Sequence, residues 1–120
     1  AAYGLPRSTP EEKAARRAAI EEATRGAAEP PVQVGQVATR LVALADAMVE
    51  PANPNVLSDV GVAAATARAA LSGSITNITV NAAFLGDADG ARLRAEAAGL
   101  EQAMAQADAV AARVLEKLAS

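Results

Sequence analysis

A single carboxylate, Asp59, stands in the least charged stretch of this 120-residue sequence: from Asn53 to Gly86 only Asp59 and Arg68 carry charge. Amides and hydroxyls recur in the same stretch at helical spacing. At about 100° per residue Asp59 and Asn77 share one angle, since eighteen residues complete five turns. Thr66 lies about 20° to one side, Asn81 about 40° to the other, and Ser74 about 60°. Arg68 points the opposite way. Polar groups on a buried helix are costly unless paired, so the stripe needs a reason. One reason is structural: Asn and Thr bond a neighbouring helix, and Asp59 caps its own near Asn55 or Ser58. The other is chemical: the stripe lines a ligand cleft, with Asp59 as acid, base or anchor. A carboxylate among apolar neighbours suits proton transfer at neutral pH.

The composition narrows the chemistry further. Cys and His are both absent, which removes thiol nucleophiles, disulfides and imidazole metal ligands. A net charge of -3 argues against binding nucleic acid through phosphate contacts. No apolar run is long enough to span a membrane. Arg7, Lys13, Arg16 and Arg17 form a basic group, read either as a solvated face balanced by nearby Glu or as an attractor for an anionic substrate tail. Asn77-Ile78-Thr79 matches a glycosylation sequon, which a helix without secretory context makes a chance match. Asn53-Pro54-Asn55 reads as a proline turn with Asx bonding.

Helices must position these groups. There are 34 Ala residues, against 27 Leu, Val, Ile, Met and Phe together. Ala favours helices and lets them approach closely, but it buries little area. A partner subunit or further chain is therefore expected to complete the core. Ala1 to Pro6 reads like the end of a preceding helix, as in a piece of a longer protein. Thr9, Pro10 and Glu12 predict a capped helix start, and Gly26 with Pro30-Pro31 an end near Ala27. A second helix begins near Pro31, with Val34, Val37, Leu41, Leu44 and Met48 as its apolar stripe, and ends at Pro51. A third, central and buried, runs from Ser58 to Phe84, its β-branched second half included. The last follows Asp87, with a seam of Leu93, Ala97, Leu100, Met104, Ala107, Ala111, Val114 and Leu118. The expectation is one all-α, up-and-down bundle of about four helices.

Two clusters carry a family resemblance. Ala2-Tyr3-Gly4-Leu5-Pro6, with Thr9 and Glu11-Glu12-Lys13-Ala14-Ala15-Arg16, resembles a motif of the cyclodeaminase/cyclohydrolase family of folate enzymes. Asn53-Pro54-Asn55-Val56-Leu57-Ser58-Asp59-Val60-Gly61-Val62-Ala63 resembles its second motif, and Ala69-Ala70-Leu71 and Thr76 to Asn81 resemble further elements. Pro51-Ala52 departs from the Lys-Gly common in the family, and the family's Gly-rich half ahead of the tyrosine motif has no counterpart in this sequence. The resemblance implies the C-terminal portion of a helical, homodimeric, cytoplasmic enzyme acting on tetrahydrofolate one-carbon units, as cyclohydrolase or as cyclodeaminase. It implies no metal and no cofactor beyond the folate substrate. Asp59 becomes the catalytic candidate, with Asn53, Asn55, Ser58, Asn77 and Asn81 as substrate-binding candidates. The competing class is a non-catalytic dimerisation or scaffold module, whose stripe would be satisfied by interhelical bonds.

Overall fold

The computed structural model describes residues 1–120, the side chain of Asp87 excepted. Three long helices run up, down and up in a rod of 69 × 23 × 17 Å. They are α1 (Pro10–Met48), α2 (Leu57–Phe84) and α3 (Asp87–Ala119), with short 3-10 turns at Ala2–Gly4 and Pro54–Val56. The all-α expectation holds, with three helices where about four were expected.

The difference lies at Pro30-Pro31, which α1 passes through without ending. Proline supplies no N–H to the carbonyls of Gly26 and Ala27, but both residues are exposed and water can reach them. Packing holds the segment on either side. Ala28, Val32 and Gly35 are buried, and Arg25–Asp89 (2.7 Å) and Arg92–Glu29 (3.1 Å) tie it to α3. The start of α1 is as expected. Thr9 and Glu12 form a reciprocal capping box, with Pro10 in the first turn.

Helix α2 packs against both neighbours, which touch each other less. Its β-branched half stays helical, and Thr76 and Thr79 donate to the carbonyls of Ser72 and Ile75. One expectation about α2 fails. Two neighbours cover two faces of a helix, and the third face, bearing Asp59, Thr66 and Asn77, is open to solvent.

The stripe expected to bury α1 also faces outward. Val34, Val37, Leu41, Leu44 and Met48 are 47% to 63% exposed, while Val32, Ala38, Val42, Ala45 and Val49 are buried. The two sets lie about a third of a turn apart. Small residues won the inner position because the helices sit close. A Cβ on Gly35 would overlap the Leu100 side chain, and one on Gly90 would stand 2.9 Å from the Ala82 carbonyl oxygen. The α3 seam is as read at Leu93, Ala97, Leu100, Ala107 and Val114; Ala103 and Val110 join it, and Leu118 is exposed.

Polar ties close the far end of the rod. Asp46 accepts from the Gln106 amide (3.0 Å) and from Arg113, and Glu50 accepts from Lys117 (2.8 Å). Gln106 and then Arg113 hold the Asp46 carboxyl below its ordinary range, and Lys117 does the same for Glu50. Because the folded values are the lower ones, this stabilisation is present above the unfolded carboxylate values, about 4, and is lost as pH falls through the folded ones. Melting temperature should therefore drop on acidification below about pH 4. Asp46→Asn should lower it at pH 7 and flatten that acid slope. A second pair of variants probes the helix approach. Gly90→Ala should destabilise by about 1–3 kcal/mol, because the obstacle is backbone. Gly99→Ala, with nothing within 4 Å of its added Cβ, should stabilise by about 0.5–1 kcal/mol in thermal unfolding.

Candidate functional site

The open faces of α1 and α2 meet in a groove made of a line of three hollows. At its first end Asp59 and Thr66 stand opposite Leu41, Leu44 and Met48, with Val56 below, around a hollow of about 590 Å³. Its middle is walled by Pro30, Gln33, Val34, Val37, Leu41 and Ala70. At its second end Phe84 of α2 faces Arg7, Lys13, Arg16, Arg17, Ile20 and Glu21 across a cleft of about 350 Å³. Phe84 lies about 20° from the Asp59–Asn77 line, so all three sections belong to one face of α2.

Asp59 is exposed and, among the described residues, has no hydrogen bond or ion pair. It sits in the first turn of α2, where the helix dipole favours a carboxylate, yet it makes no capping bond. The capping explanation therefore fails. Interhelical bonding fails as well. Thr66 donates to Val62 O at 2.9 Å and Asn81 Nδ2 to Asn77 O at 3.0 Å, both within α2. What remains is a charged acceptor with free lone pairs on an apolar wall.

The other candidates do not gather round it. Asn77 and Asn81 share its angle approximately, but lie about 27 and 33 Å along the axis. Ser58 faces the opposite flank, where Gly61, Val62, Val114 and Leu115 line a separate groove against α3. Asn53 Oδ1 accepts from Asn55 N at 3.0 Å, forming the expected Asx turn ahead of α2, and both residues are exposed. Ser74 turns into the core, its hydroxyl unpartnered among the described residues. Angular position thus placed Asp59, Thr66 and Asn77 on one face but not Ser74, and it did not make them neighbours, because a helix separates same-angle residues by whole turns.

Two parts of the groove lie outside the site candidates gathered around Asp59 from sequence. Leu41, Leu44 and Met48, part of the apolar stripe of α1, line the groove. The basic group was read first as a balanced face, yet only Arg17 has a carboxylate partner, Glu21 at 2.9 Å. The clustering of four cations in eleven residues was the available signal.

The sequence profile of the Formiminotransferase-cyclodeaminase family matches residues 1–99, and the chain belongs to that family. One relative is the methenyltetrahydrofolate cyclohydrolase of Methylorubrum extorquens, 41% identical over 119 residues, which are 99% of this chain and 56% of that protein. The chain thus spans about half the length of the curated relative it matches.

Proposed function

We propose that this chain is the C-terminal portion of a cytoplasmic methenyltetrahydrofolate cyclohydrolase. The observation that carries the reading is the 41% identity, over nearly the whole chain, to a protein of that name. The chemistry suits the residues present. In 5,10-methenyl-tetrahydrofolate the bridging carbon is already an electrophilic amidinium centre, so a thiol nucleophile is not needed. Water adds to that carbon and loses a proton to a carboxylate. The carbon–N5 bond then breaks as the new hydroxyl becomes the formyl C=O, its proton passing to N5, and the formyl group stays on N10. Asp59 is the proton acceptor in this reading, since it is accessible and unpaired beside an apolar wall able to seat a flat ring. Polar amides such as Asn77 orient the pterin. The absence of interhelical bonds along the stripe disfavours the scaffold alternative. The family description keeps ammonia release from formimino-tetrahydrofolate as the second reaction to assay.

The active form in this proposal is a homodimer. Leu41, Leu44 and Met48 present more apolar surface than a solitary rod would leave open. A second copy laid antiparallel on the same face, its two-fold axis midway along α2 between Asp59 and Asn77, brings Asp59 of one protomer level with Asn77 of the other. That arrangement overcomes the separation of about 27 Å within one chain.

Two measurements test these points in the full-length protein. Asp59→Asn keeps shape but cannot take the proton, so turnover of methenyl-tetrahydrofolate should fall about 10²–10⁴-fold with little change in melting temperature. Ser58→Ala, on the opposite flank, should stay within about twofold of wild type, well short of the loss of a general base. Near-normal turnover in Asp59→Asn would remove it from the reaction. Leu44→Glu should shift light scattering from dimer towards monomer, and an unchanged mass would exclude this face as the interface.

A further inference from the structure

Most cations on the body of the rod are already neutralised. Arg25, Arg68, Arg92 and Arg113 each meet a carboxylate on another helix, and Lys117 meets Glu50 in the turn after α1. The cleft beside Phe84 is different. Arg7, Lys13 and Arg16 have no carboxylate partner among the described residues; Glu11 does not line the hollow, and the two nearest other acidic groups are committed elsewhere. Glu12 accepts from the backbone N–H groups of Ser8 (2.7 Å) and Thr9 (3.1 Å), and Glu21 pairs with Arg17. Four cations and one carboxylate thus line a single hollow, in a chain whose net charge is -3.

Arg16 is also held in place. Its Nη2 donates to the Tyr3 carbonyl oxygen at 3.3 Å, and its guanidinium lies 5.7 Å from the Tyr3 ring centre. Its Nε is buried without an acceptor. The aromatic ring of Phe84, 59% exposed, forms the opposite wall. The cleft therefore offers a flat apolar surface next to several cations. An aromatic group bearing carboxylates matches that combination.

We infer that this cleft binds the p-aminobenzoyl-glutamate arm of the folate, its ionised carboxylates meeting Arg7, Lys13 and Arg16 and its benzoyl ring lying against Phe84. The inference rests on the cyclohydrolase reading and specifies where the substrate's tail goes. The spacing also assigns a direction. Phe84 is about 10 Å along α2 from Asn77, within reach of the arm of a pterin seated there. It is about 37 Å from Asp59 of the same protomer, beyond that reach. The tail is thus held by the protomer whose Asn77 orients the pterin.

The test uses the full-length protein and two substrates, methenyl-tetrahydrofolate and methenyl-tetrahydropteroate, which lacks the glutamate. In Lys13→Gln/Arg16→Gln the kcat/KM for the folate should fall about tenfold or more through KM, so that preference over the pteroate collapses. Arg16→Lys should restore part of that preference, and raised salt should erode it in wild type. An equal loss on both substrates, or no loss on either, would overturn the inference. Arg7→Gln, outside the helices, gives the same comparison should the double variant fold poorly. Calorimetry with p-aminobenzoyl-glutamate and p-aminobenzoate supplies a readout independent of turnover. Tighter binding of the former, lost in the variants, supports the cleft even in a protein without cyclohydrolase activity. Equal binding of the two, or competition by inorganic phosphate alone, would reduce it to an unselective anion site and overturn the assignment.

Discussion

Gly35 has no room for a methyl group, because the Leu100 side chain already occupies the space a Cβ would need. That approach belongs to a wider pattern in which Ala38, Ala45, Ala64, Ala67, Ala103 and Ala107 fill the inner faces of the rod. Helices separated by methyl groups and hydrogens lie close, and van der Waals contact between their backbones replaces much of the area that larger side chains would bury. Once the inner faces are taken by small residues, the larger ones on α1 have nowhere to go but outward. The exposed stripe from Val34 to Met48 and the groove it forms with α2 both follow from this close approach.

Charge decides which of the remaining surfaces stay available. The outer contacts between α1 and α3 are bridged by Arg25–Asp89, Arg92–Glu29 and the Asp46, Glu50, Arg113 and Lys117 group. Exposed pairs of this kind contribute little stability each, but they satisfy their partners and leave few charges free for a ligand. The groove between α1 and α2 has no such bridges among the described residues. It runs from an unpaired carboxylate, across an apolar middle, to a group of cations around Phe84. A ligand with a cationic or proton-releasing ring at one end and carboxylates at the other would complement such a polarity, though no single protomer presents both ends within its span.

Length along the helix is the constraint that makes a second protomer part of the proposed site. Residues at one helical angle look like neighbours in projection, but Asp59 and Asn77 are separated by five turns, about 27 Å. A small substrate cannot bridge that distance. An antiparallel neighbour halves the problem by symmetry, since each protomer then offers its carboxylate end to the amide end of the other. The same contact would cover the apolar stripe, so catalysis and burial would be served by one interface.

Much of the chain was legible from sequence because local signals and tertiary contacts agreed. The Thr9–Glu12 capping box and the α3 seam are set by bonds and spacings within a few residues, which a sequence displays directly. The two motifs around Tyr3 and Asp59 were enough to point to the family. Three features were settled only by the tertiary structure. Helix α1 crosses Pro30-Pro31 because buried contacts on both sides offset two missing backbone bonds, and no local rule contains those contacts. The stripe of larger residues faces outward because periodicity specifies an angle but not which neighbour lies there. Asp59, Ser58 and Asn77 part company because adjacency in sequence and equality of angle are both compatible with opposite flanks or distant turns. By itself the sequence determined the all-helical character and the kind of chemistry the residues allow; the packing of three helices, through the small size of what lies between them, decided which of those residues are open to solvent.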